Sequence, residues 1–76
     1  MRVTEKDFLL NIQKLVNNDA SRESISKEAL DMMNLSINWR SCYRDFALDL
    51  IYSIEPQFEL TDEEIMNRVK QLEKIL

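Results

Sequence analysis

The chain has no glycine, no histidine, one proline and one cysteine in 76 residues, and each scarcity removes chemistry. Glycine-rich phosphate loops, dinucleotide-binding fingerprints and EF-hand loops need a residue that turns left-handed freely or lets a ligand approach the backbone. None can be built here. Without histidine there is no imidazole base and no His-ligated metal site. Cys42 has no second cysteine for an internal disulfide, which fits a reducing compartment. No apolar run approaches the roughly 18 residues of a membrane span. Residues Met1 to Asp7 alternate in charge instead of leading into a signal-peptide core. The sequence reads as cytoplasmic, with no membrane partner.

What is present describes a small folding unit. Hydrophobic residues make up 45% of the chain against 32% charged, a globular balance rather than that of a disordered chain. At this length only about 60% of the unfolded surface is buried on folding, enough for one core. Fourteen acids against ten bases give a net charge of -4. Residues 1–19 balance, and the excess acid lies in the rest of the chain. This disfavours a phosphate backbone or an anionic membrane as partner and favours a basic protein.

Helix-start patterns divide the chain. Thr61 with Glu64, and Thr4 with Asp7, have the spacing of a reciprocal capping box, and Leu60/Ile65 and Val3/Phe8 the spacing of a hydrophobic staple. Ser26 has the staple pair Ile25 and Leu30 but lacks the acid. The spacing predicts a first helix over residues 5–17, with Phe8, Ile12, Leu15 and Val16 inward and Leu10 outward. Residues 18–25 read as a connection, with Asn17, Asn18 and Asp19 able to leave helical geometry and Ser21 and Ser24 as alternative caps. A second helix is expected over residues 27–34, burying Ala29, Leu30 and Met33, with Asn34 as a left-handed stop. Ser36 or Asn38 would cap a third, whose apolar face is Trp39, Tyr43, Phe46, Leu50 and Ile54, widened by Ala47 and Ile51 and ended by Pro56. A fourth, over residues 62–75, buries Ile65, Val69, Leu72 and Leu76, flanked by Met66. There is no strand pattern, repeat or linker. The expectation is an all-α protein: one domain, residues 1–76, folded as a compact bundle of four short helices.

Little here does chemistry. Asp45 and Asp49 stand four apart, the loosest requirement of a carboxylate pair, but Arg40 and Arg44 just before them make ordinary helix ion pairs the better reading. Asp62, Glu63 and Glu64 supply clustered oxygens, which a hard cation wants, yet three acids in a first turn are what the helix dipole favours. Cys42, on the flank of the apolar face, reads as a buried, inert thiol. A helix-turn-helix would use Leu30, Asn34 and Leu35 around its turn, but it would place Arg40 at an apolar anchor position in an acidic domain. The expectation is a non-enzymatic protein with no catalytic residue, cofactor or metal site, and no nucleic-acid partner.

The informative residues are apolar ones off the core face. Leu48 and Tyr52 lie across the third helix from Phe46 and Leu50, beside Asp45. They make either a contact patch, with tyrosine area ringed by steering acids, or part of a helix buried all round. The stretch Phe46-Ala47-Leu48-Asp49-Leu50-Ile51, a polar turn, then Leu60-Thr61-Asp62-Glu63-Glu64-Ile65 and a helix ending near Leu72 resembles the C-terminal half of small helical immunity proteins from bacterial toxin systems. That resemblance implies a cytoplasmic acidic inhibitor that binds a basic toxin, often a nuclease, and blocks its working surface. The candidate partner-binding residues are Asp45, Leu48, Asp49, Tyr52, Glu59, Asp62 and Glu63. The alternatives are a self-associating helical assembly, such as a homodimer built on Leu10, Met32, Leu48 or Tyr52, and a phage-encoded inhibitor of host machinery.

Overall fold

The two capping boxes form as their spacing predicts. In the computed structural model, which describes residues 4–35 and 38–76, Thr4 Oγ1 accepts the Asp7 N–H at 3.1 Å and Asp7 Oδ2 accepts the Thr4 N–H at 3.2 Å. Thr61 and Glu64 repeat the exchange at 3.2 and 3.1 Å. They open α1, Glu5–Asn17, and α4, Asp62–Glu73. Ile65 is fully buried and Leu60 packs against the core beside it, while the Val3 half of the first staple lies outside the described residues. With α2, Arg22–Asn34, and α3, Ser41–Tyr52, they form an all-α four-helix bundle with no strand among the described residues.

The first helix stops without glycine. Asp19 takes a left-handed φ of 56°. The Asp19 N–H then reaches Val16 O at 3.1 Å and the Ala20 N–H reaches Leu15 O at 2.9 Å. Those two bonds are a complete Schellman closure, and Ala20 and Leu15, the pair such a closure brings together, both pack against the core.

The second helix differs from expectation in start and phase. It begins at Arg22, because the Ser21 hydroxyl accepts the Ser24 N–H at 3.2 Å. Ser26, expected as the cap, lies inside the helix and donates its hydroxyl to Ile51 O at 2.8 Å. The inward stripe is therefore Ile25, Ser26, Ala29 and Met32. Leu30, expected in the core, is 45% exposed, and Met32, expected outside, is 4% exposed. Asn34 stays helical, and among the described residues of this connection the left-handed one is Asn38, with φ 59°.

The third helix starts later and ends earlier than its apolar pattern. Its N-cap is Arg40, without a side-chain cap, and Trp39 precedes the helix, buried by stacking on Phe8 at 5.0 Å. Ser36, the other cap candidate, lies outside the described residues. Pro56 does not end the helix but opens a single 3-10 turn, Pro56–Phe58. The stop at Tyr52 is made by bonds to carbonyls the helix leaves open. Leu50 O takes the Ser53 hydroxyl at 2.6 Å, Ile51 O takes Ser26, and Tyr52 O takes the Glu55 N–H at 3.0 Å. Ile54, beyond this stop, is exposed rather than on the core face. Likewise α4 ends at Glu73, and Leu76 is exposed.

The helices close a ring: α2 packs along α3, α1 touches α2 and α4, and α3 meets α4. Phe8 is central, stacked on Trp39 and tilted against Phe46 at 5.7 Å. Burying side chains of this size contributes about 1.5–3 kcal/mol each. The radius of gyration, 11.2 Å, equals within error the about 11.4 Å that compact chains of this length follow.

Candidate functional site

Tyr43, Phe46, Ala47 and Leu50 take the inward face of α3. The 3.6-residue period then turns Asp45, Leu48, Asp49 and Tyr52 outward as one stripe. Leu48 is 37% and Tyr52 54% exposed, which decides between the two readings of this helix: it is not buried all round.

The 3-10 turn adds what the sequence reading missed. It sets Phe58, 55% exposed, against Tyr52 with ring centroids 6.5 Å apart and planes tilted by 60°. Asp49, Tyr52, Gln57, Phe58, Glu59 and Leu60 line a groove of about 530 Å³. The structure thus brings Asp49, Tyr52 and Glu59 to one site. Asp45 and Leu48 continue the stripe along α3, and Asp62 and Glu63 lie in the first turn of α4, outside the groove lining. The available signal for Phe58 was an aromatic in a polar connection, where binding residues often sit.

The acids divide into two groups. Asp49 accepts from Arg68 Nη1 at 2.9 Å, tying α3 to α4, and Arg68 also lies over the Phe46 ring at 5.0 Å. Asp62 accepts from Arg22 Nη2 at 2.6 Å while Arg22 Nε donates to Leu60 O at 2.7 Å, so one guanidinium holds the groove's lower edge to α2. Asp45, Glu59 and Glu63 are exposed and make no ion pair among the described residues. Arg40, expected to serve Asp45 or Asp49, instead pairs with Glu5 at 3.2 Å and donates to Ile75 O at 2.7 Å.

Shifted proton affinities mark that clasp and Tyr43 beside it. Partial burial pushes the Glu5 carboxyl up, but hydrogen bonds from the Arg40 side chain and backbone, with its charge, outweigh this and hold it below its ordinary value. The bond to Glu5 raises Arg40 in turn. Burial raises the Tyr43 hydroxyl, which donates to Leu72 O at 2.7 Å. Cys42 is half-buried on the flank of the core. Among the described residues no group of three histidine, cysteine or acidic side chains is placed to hold a metal ion, and no helix is long and apolar enough to cross a membrane. Leu30 and Leu35, which a helix-turn-helix would pack inside its turn, are exposed. A second, smaller hollow of about 220 Å³ is lined by Asn11, Lys14, Leu15 and Glu28.

The chain matches no protein-family model, no curated protein and no solved structure. Fold and surface together define the class: an all-α four-helix bundle that presents an aromatic groove beside acids with no ion pair among the described residues.

Proposed function

We propose that this chain is a non-enzymatic protein-binding module, an acidic inhibitor of the immunity type that neutralises a basic protein, such as a toxin nuclease, by covering its working surface. One observation carries the reading: Leu48, Tyr52 and Phe58 are exposed beside Asp45 and Glu59, acids that pair with no cation among the described residues. Aromatic area supplies contact, and free carboxylates speed encounter with a positive surface. The net charge of -4 acts in the same direction at longer range.

The test is affinity capture from the native host lysate, followed by purification of the captured protein and association kinetics against ionic strength. The bait variant is Asp45→Lys/Glu59→Lys/Glu63→Lys, since Asp49 and Asp62 serve internal ion pairs. A basic partner whose association slows with salt, and slows further with the variant, supports the reading. An acidic partner, or one indifferent to salt and variant alike, contradicts it.

Self-association is the second reading, favoured by the exposure of Leu10 and Leu30 on outward faces of α1 and α2. Met32 no longer contributes to it, being buried. A sedimentation coefficient that falls on dilution would support it.

A further inference from the structure

Resting on that reading, we infer that the groove between the end of α3 and residues 56–60 is the anchor site for a basic amphipathic segment of the partner. An apolar side chain of that segment enters against Tyr52, Phe58 and Leu60, and a neighbouring lysine or arginine is met by Glu59.

Size argues for a segment rather than an isolated contact. The groove's volume of about 530 Å³ lies inside the range of about 300–1,000 Å³ typical of ligand sites. Its lining has the composition of such sites, with aromatic and aliphatic walls and a few polar groups at the rim.

The walls are also set in advance. Tyr52 stands on α3, Leu60 is held through its carbonyl by Arg22, and the turn carrying Phe58 is closed by its N–H to Glu55 O at 2.9 Å. Little ordering remains to be done on binding, which is where flexible sites lose affinity. The two rings touch each other yet each stays more than half exposed, leaving apolar area that the bundle itself does not cover. Tyrosine and large apolar anchors in such positions are the usual source of binding energy.

Charge selects the occupant. Arg68 already matches Asp49, so among the described residues the groove's unmatched charge is that of Glu59, with Glu55 close by and holding Gln57 Nε2 at 3.1 Å. An acidic segment would be repelled. A second copy of this chain, joined symmetrically across the groove, would set Glu59 of one copy near Glu59 of the other, at a net charge of -4 on each. A lysine- or arginine-bearing segment meets neither obstacle, and its long aliphatic stems add contact along the rings.

The experiment is a backbone-amide NMR titration of the full chain at low ionic strength with three synthetic peptides. One alternates lysine and leucine, one has serine for every leucine, and one has glutamate for every lysine. The expected result is that the lysine–leucine peptide shifts amides of residues 49–60, the lysine–serine peptide binds about tenfold more weakly, and the glutamate–leucine peptide does not bind. Tyr52→Ala and Phe58→Ala should each weaken the lysine–leucine peptide several-fold and leave the lysine–serine peptide unchanged, and both replace exposed side chains, so the bundle remains intact. Equal binding of the lysine–leucine and lysine–serine peptides, shifts confined to other surfaces, or no binding at all would overturn the groove while leaving an acidic inhibitor of a basic partner standing. Binding of the glutamate–leucine peptide as tightly as the lysine–leucine one would overturn both.

Discussion

Tyr43 and Arg40 close the end of α4 from a distance, and their side chains make sharp tests. The Tyr43 hydroxyl is buried against Leu72 O, and Arg40 binds Ile75 O. Tyr43→Phe keeps the ring and removes the donor, so unfolding free energy should fall by about 0.5–1.5 kcal/mol in denaturant titration, and an unchanged midpoint would contradict the bond. Glu5 gives a pH signature. Its carboxyl is lowered in the folded chain, so its contribution is fully present above the unfolded value and disappears as pH falls through the folded one. The Tm difference between wild type and Glu5→Gln should therefore narrow as pH drops below 4.5, the ordinary value for the group. A difference that does not change with pH would refute this. Neither contact is legible locally, because residue 40 and residues 5 and 75 meet only through the packed bundle. The sequence pairs Arg40 with Asp45 or Asp49 because helix spacing is all it offers.

At the scale of elements, caps made by adjacent residues were readable and caps made across the fold were not. The boxes at Thr4 and Thr61 mark α1 and α4 correctly, since donor and acceptor lie three positions apart. Thr61→Ala should cost about 1 kcal/mol of stability. The sequence offers both Ser21 and Ser26 as starts of α2, and the contact that removes Ser26 from contention is with Ile51 O on another helix. The same holds at the groove: the outward turn of Leu48 and Tyr52 follows from the wheel of one helix, whereas Phe58 reaches Tyr52 only because the chain turns back after α3. Asp19 yields an element-scale prediction. It holds a left-handed φ that costs a side-chain-bearing residue roughly 1 kcal/mol relative to glycine. Asp19→Gly should raise Tm by several degrees in calorimetry, offset in part by glycine's greater freedom in the unfolded chain, while a fall in Tm would show that the aspartate side chain itself stabilises this turn.

Across the whole molecule, the cations Arg22, Arg40 and Arg68 bind the elements to one another, and the charges of their partner acids are thereby matched within the chain. The chain stays net negative, and along α3 and the turn after it the outward face is aromatic. Under the proposed function these parts have separate tasks: outward acids bring a basic partner in, and the Tyr52–Phe58 groove holds it. The most direct measurement is the association and dissociation rates of the purified captured partner with wild type, with Asp45→Lys/Glu59→Lys/Glu63→Lys and with Tyr52→Ala/Phe58→Ala, each variant first shown to be folded. The predicted result is a slower, less salt-sensitive association for the charge variant and, for the aromatic variant, a dissociation faster by about tenfold or more at nearly unchanged association. Wild-type rates in both folded variants would contradict the account.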